Sequence, residues 1–163
     1  MENIEKIEFR PIGIIRSPFK EPKGMPIQPI GAKGIEGKIE IFPEFAEGLK
    51  DLDGFSHIIL IYHLHLSKGY KMLTYPFLEK NLHGVFSTRS PHRPNQIGLS
   101  IVRLEKIEEN ILTISNVDIV DGTPLLDIKP FVKEFDCFDM NENYRIGWLK
   151  NRVENSKQYR TKK

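Results

Sequence analysis

The sequence predicts a mainly β chain: an antiparallel or mixed barrel-like domain with one or two short helices, not a Rossmann fold. Two observations carry that expectation. Runs of β-branched and aromatic residues with a two-residue period recur along the chain, the strongest being Phe55–His65. These runs do not alternate with helices as a doubly wound sheet requires. A length of 163 residues suits one domain with a real core.

Glu8–Ser17 reads as the first strand, with Phe9, Ile12, Ile14 and Ile15 as its apolar members. Four prolines, Pro18, Pro22, Pro26 and Pro29, then make Pro18–Gly34 a loop, because proline lacks the N–H a ladder needs. A strand returns over Ile35–Phe42. Pro43 suits a helix start, and Phe45, Leu49 and Leu52 lie on one helical face that Gly54 closes. Phe55–His65 places Ser56, Ile58, Leu60, Tyr62 and Leu64 on one side and Phe55, His57, Ile59, Ile61, His63 and His65 on the other. Apolar residues on both sides predict burial on both.

Ser67–Lys80 reads as irregular or briefly helical, Gly84–Thr88 as a short strand and Ser90–Asn95 as a proline-rich turn. Ile97–Ile107 and Ile111–Val117 form a hairpin whose turn, Glu108-Glu109-Asn110, offers Asn110 for the left-handed conformation. Leu125–Val132 is the last strand, and Tyr144, Trp148, Leu149 and Val153 mark a narrow helical stripe. The aromatics Phe55, Tyr62 and Phe86 occupy strand positions and are expected in the core.

Composition sets further bounds. A single cysteine, Cys137, excludes an internal disulfide. The longest apolar run, Ile58–Tyr62, is far too short to cross a bilayer, and the N-terminus lacks the pattern of a secretory signal. A cytoplasmic protein is expected, with neither membrane nor DNA as partner. Net charge is +2, but Lys150–Lys163 carries six cations against one acid, so the other 149 residues sum to −3. Such a tail suits either a polyanion contact or a solvated end.

Several motifs bear on chemistry. Gly31, Gly34 and Gly37 match neither a dinucleotide nor a Walker spacing and read as loop glycines. His57, His63 and His65 share a strand side, but a metal site is not expected, because no further ligands stand at the right spacing. Thr88–Ser100 sets Arg89, His92 and Arg93 in a proline-stiffened turn, and Arg16-Ser17-Pro18 repeats the Arg-Ser-Pro corner; both suit an anion or nucleotide. In Val120–Phe131, Asp121-Gly-Thr-Pro is turn chemistry.

With these blocks in view, the sequence resembles the TrmO (TsaA-like) family of tRNA methyltransferases. The resemblance rests on PIGIIRSPFK at Pro11–Lys20, LDGFSHIILIYHLH at Leu52–His65, GVFSTRSPHRPNQIGLS at Gly84–Ser100 and VDGTPLLDIKPF at Val120–Phe131, with Pro26-Ile27-Gln28-Pro29. It implies a barrel methyltransferase domain over residues 1–135, with residues 136–163 as a short helix and basic tail of the same domain. It further implies a homodimer that binds S-adenosylmethionine and methylates N6 of threonylcarbamoyladenosine beside the tRNA anticodon. Carried over residue by residue, cofactor contacts fall on Gln28, Pro29, Ile30, His65, Leu66, Arg89, Leu99, Asn116, Val117, Asp118 and Ile119. Substrate contacts fall on Arg16, Arg93, Asn95 and Lys129.

Two departures stand out. Gln96 replaces a proline of the family turn and is expected to loosen it. The chain also has little beyond the barrel, where longer members carry a further domain. The acceptor nitrogen of such a substrate is a poor nucleophile, so a base should take its proton. Asp118, Asp121, Asp127 and His92 are the candidates, and Arg16 and Arg93 are expected to grip a phosphate or the threonyl carboxylate. Alternative functions are methyl transfer to another small or RNA substrate, and a non-catalytic barrel that binds RNA.

Overall fold

The computed structural model describes residues 6–76, 80–137, 144–150 and 152–160. The strands are β1 (Gly13–Arg16), β2 (Glu36–Ile41), β3 (His57–His63), β4 (Leu73–Thr74), β5 (His83–Gly84), β6 (Ile97–Glu108), β7 (Ile111–Ser115) and β8 (Thr123–Pro130). Six of them close into a barrel in the order β1-β2-β7-β6-β3-β8, and β8 pairs back onto β1. Every barrel pairing is antiparallel. β4 and β5 form a separate two-stranded ladder in the excursion between β3 and β6. The mainly-β, barrel-like expectation holds.

Period-two patterning fills the barrel. Ile15, Ile39, Ile58, Leu60, Val102, Leu112, Ile114, Val117 and Leu125 are all fully buried. Each such side chain contributes roughly 1.5–3 kcal/mol of transfer free energy. Gly98 is required on β6 because Tyr62 lies across its inner face: a Cβ there would meet the ring at 2.2 Å. Bulges interrupt the ladders between β6 and β7 near Glu105 and between β3 and β8 near Leu126. They add local twist to the closing strands.

Several local expectations change. β3 is buried on one side only. Ile59 and Ile61 on its outer side are half-buried, because no layer among the described residues fully covers that part of the barrel wall. The helix expected after Pro43 is instead two 3-10 turns, Pro43–Leu49 and Leu52–Gly54, separated by Asp51 at φ 64°. Its apolar face still meets the core: Leu52 is buried, and Phe45 and Leu49 pack against the cluster. In the β6–β7 hairpin the left-handed residue is Glu109 at φ 54°, not Asn110. Asn110 instead donates its Nδ2 to the Ile41 carbonyl at 2.6 Å. Gly37 lies inside β2 rather than in a loop, and a Cβ added to it would fall 2.7 Å from the Arg16 carbonyl oxygen. Only β5 and a 3-10 turn, Val85–Ser87, occupy the segment expected as a strand. Phe86 therefore points out, 72% exposed, and Phe55 is also exposed.

The C-terminal part is less helical than its stripe suggests. It holds a short α1 (Lys133–Asp136) and 3-10 turns at Gly147–Leu149 and Val153–Lys157. Nor is its end a solvated tail as far as Arg160. The Arg160 amide donates to the Met25 carbonyl at 2.7 Å, and the Gly24 amide donates to the Arg160 carbonyl at 2.8 Å. Tyr159 bridges Pro26 in antiparallel register. Lys162 and Lys163 lie outside the described residues.

Candidate functional site

Hydrogen bonds converge on residues 116–122, between β7 and β8. Asn116, at φ 67°, accepts the Gly34 amide on its side-chain oxygen at 3.0 Å, which fixes the exit of the 18–34 loop. The Val117 amide donates to the Ile35 carbonyl, and the Gly122 amide to that of Ile15. Ser17 donates its hydroxyl to the Ile119 carbonyl, and the Asp121 carboxylate accepts the Ser17 amide at 3.1 Å and Lys20 at 2.7 Å. These partners hold the Asp121 carboxyl below its ordinary range, Lys20 foremost. The segment is therefore a rigid edge at one end of the barrel.

Inside that edge lies a polar cluster. The Ser100 hydroxyl donates to Asp118 at 2.8 Å, and the Tyr62 hydroxyl meets the Ser100 oxygen at 2.9 Å. Ser100 has one proton, so Tyr62 donates to it. Asp118 is 8% exposed. Burial pushes its carboxyl up to about 6, opposed by the Ser100 hydrogen bond and then by the charge of Arg160. The Tyr62 hydroxyl is pushed up by burial and then by Asp118. Sequence pattern does not single out Ser100 or Tyr62 as site residues. Their signal is a polar atom at an inward register position, among Gly98, Val102, Leu60 and Ile58.

Two loops cover this end. Arg89 donates Nη1 to the Gln28 side-chain oxygen at 2.7 Å, joining the proline turn to the 18–34 loop. Arg93 places Nη1 within 3.4 Å of three carbonyls, those of Val85, Thr88 and Ser90, and so sets the turn that carries Arg89. The 3-10 turn Pro29–Ala32 lies against β6, the strand that bears Leu99. Ile30, Leu66, Phe86 and Leu99 present exposed apolar surface. Gln96 ties its turn to the loop at Gly69, donating Nε2 to the Gly69 carbonyl at 3.0 Å. Asn95 is exposed.

Two histidines have their tautomers set by hydroxyls. Thr123 gives its proton to the Val120 carbonyl, so its oxygen accepts from His65 Nδ1 at 3.3 Å. Ser67 gives its proton to the Pro91 carbonyl and likewise accepts from His92 Nδ1 at 3.1 Å. In each neutral ring Nε2 is left as an acceptor. Burial, then the His63 charge, holds His65 below its ordinary value.

The remaining candidates lie elsewhere. Asp127 pairs with Lys129 at 2.8 Å, half-exposed on β8. Arg16 places Nε and Nη2 on one Glu40 oxygen, both at 3.2 Å. It lines a hollow of about 370 Å³ with Lys20, Lys38 and Asp121. Among the described residues, no group of three or more His, Cys, Asp or Glu could hold a metal ion. No described helix is long and apolar enough to cross a membrane.

The donor set fits S-adenosylmethionine. Arg89 and the Gln28 amide are polar groups of the kind its amino-acid end requires. Ile30 and Leu66 offer exposed apolar surface of the kind an adenine face requires.

Fold and site together define a small antiparallel barrel with a capped polar end, in place of a dinucleotide-binding sheet. The profile of the tRNA-methyltransferase O N-terminal domain matches residues 14–137, and the chain belongs to that family. A protein of Pyrococcus abyssi named a probable S-adenosyl-L-methionine-binding protein is 61% identical over 145 residues, covering 89% of this chain and 77% of that one. The Escherichia coli tRNA (adenine(37)-N6)-methyltransferase is 37% identical over 139 residues, covering 79% of this chain and 59% of its own. The crystal structure of TrmO from Pseudomonas aeruginosa superposes with a TM-score of 0.72 at 38% identity, covering 88% of this chain and 63% of that one. The chain thus spans about three fifths of the latter two relatives.

Proposed function

We propose that the protein is an S-adenosylmethionine-dependent methyltransferase acting on tRNA, at N6 of threonylcarbamoyladenosine beside the anticodon. The observation that carries this reading is the Arg89–Gln28 bond at 2.7 Å. It closes two of the cofactor segments implied by the family over the barrel end where Asn116–Ile119 supplies a third.

S-adenosylmethionine, when bound, supplies the methyl group on a sulfonium. The chain's own task is orientation and proton removal. Aligning the reacting atoms can account for a large part of the barrier reduction. Arg93 supports that alignment by fixing the turn under Arg89. For the proton, Asp118 is too enclosed and Asp127 is paired with Lys129, whereas His65 and His92 each keep Nε2 as an acceptor. Lys38, in the hollow it shares with Arg16 and Lys20, suits a tRNA phosphate, while Arg16 and Lys20 hold Glu40 and Asp121 at its rim. Phe86 and Tyr75, both exposed and near Arg89 and Lys80 in the chain, suit stacking on an unpaired base. A homodimer fits the outer face of β6, where Ile97, Leu99 and Ile101 form an exposed apolar row beside Ile59 and Ile61 of β3.

The test is mass spectrometry of tRNA nucleosides from cells with and without the gene. Loss of the methylated threonylcarbamoyl nucleoside is the expected result. An unchanged profile, with S-adenosylmethionine still bound by the purified protein in calorimetry, would move the acceptor to another RNA or small molecule.

A further inference from the structure

The basic C-terminal segment, an RNA-arm candidate by charge, has a different place in the fold. Its residues 158–160 lie in antiparallel register along 24–27. The Ile27 amide donates to the Gln158 carbonyl at 3.0 Å, the Arg160 amide to that of Met25 at 2.7 Å, and the Gly24 amide to that of Arg160 at 2.8 Å. Tyr159 bridges Pro26. The 3-10 turn at Val153–Lys157 seats closely on the turn at Pro29–Ala32: a Cβ on Gly31 would fall 2.8 Å from the Lys157 carbonyl oxygen. The strap therefore holds both flanks of Gln28. Its neighbours Lys157, Gln158 and Tyr159 are exposed, whereas Arg160 is half-buried. The charge of Arg160 acts on Asp118 and Tyr62, inside the barrel end.

We propose that residues 158–160 form a strap completing the candidate cofactor site, in which Arg160 is a positioning residue: its amide and carbonyl, bonded to Met25 and Gly24, fix the loop bearing Gln28. This role deepens the cofactor reading above and rests on it for the ligand. A buried carboxylate needs compensating charge or hydrogen bonds. From β6 the group facing Asp118 is Ser100, and behind Ser100 on β3 stands Tyr62. The proline turn contributes Arg89, and the strap contributes Arg160. Ser100, the two arginines and the residue's own amide favour the charged form, and Arg160 acts more strongly than Arg89. The charge of Arg160 thus accompanies a mechanical role that its backbone bonds carry.

The test compares the full chain with Arg160→Pro, which removes the amide that donates to Met25, and Arg160→Ala, which keeps it. Hydrogen exchange follows the Gly24 and Ile27 amides, and calorimetry follows S-adenosylmethionine binding at pH 7. Both amides are protected in the wild type and in Arg160→Ala, and both exchange rapidly in Arg160→Pro. S-adenosylmethionine affinity falls about tenfold in Arg160→Pro. Rapid exchange at both amides in the wild type would overturn the strap, and wild-type affinity in an Arg160→Pro variant whose amides exchange rapidly would overturn its link to the cofactor site. If the wild type itself fails to bind S-adenosylmethionine, the cofactor reading falls, and the strap is still decided by exchange at Gly24 and Ile27.

Discussion

The Ser100 hydroxyl donates to Asp118 Oδ1 at 2.8 Å, so a strand of the barrel wall and the segment leading into β8 meet through one buried proton. Tyr62 completes the chain of hydrogen bonds from the adjacent β3. Polar networks of this kind favour one arrangement of their elements, because a half-satisfied alternative leaves buried groups without partners.

The cluster gives stability a specific pH dependence. Burial raises the Asp118 carboxyl to about 6 in the folded protein. Between its unfolded and folded values, folded chains hold a proton that unfolded chains have released. The stability this group contributes is full below about pH 4, the ordinary carboxylate value, and is lost as the pH rises through 6. The loss is on the order of 2–3 kcal/mol. Asp118→Asn keeps an acceptor for Ser100 and removes the titration. Urea unfolding at intervals from pH 4 to 7 should show the wild type losing stability relative to Asp118→Asn across that window. Parallel curves would mean that Asp118 does not titrate there.

Gly98 should tolerate no side chain. A Cβ would meet Tyr62 Cε2 at 2.2 Å, and Tyr62 is held in place by Ser100. Gly98→Ala is expected to cost about 1–3 kcal/mol through overpacking. Chemical denaturation measures this directly, and an unchanged midpoint would show that the ring moves freely.

Arg89 and Gln28 join the proline turn to the 18–34 loop, side chain to side chain. Arg89→Ala should leave the core intact, since Arg89 is exposed. S-adenosylmethionine affinity should fall about tenfold, the scale of one lost charge-assisted contact. Calorimetry on a variant with an unchanged melting temperature checks this. Wild-type affinity would remove Arg89 from the site.

Much of the fold was legible because barrel strands obey a strict alternation. Ile58, Leu60 and Tyr62 turn inward, and the β6–β7 hairpin falls where expected. Period alone could not give one-sided burial of β3, because Ile59 and Ile61 look the same whether a layer covers them or not. The candidate bases show another limit. Asp118, Asp121 and Asp127 are three similar carboxyls in sequence, but one is buried under Ser100, one holds Lys20 and Ser17, and one pairs with Lys129. Arg160 was legible only as one cation of a basic tail. Its inward place depends on pairing with residues more than a hundred positions away, which local pattern does not encode.

The central claim is methyl transfer to a tRNA nucleoside. The most direct measurement incubates the purified protein with S-adenosylmethionine and tRNA bearing threonylcarbamoyladenosine, then analyses the digested nucleosides by mass spectrometry. The predicted result is one methyl added to that nucleoside and none to the same tRNA lacking the threonylcarbamoyl group. An unmodified nucleoside, under conditions where S-adenosylmethionine is bound, would contradict it.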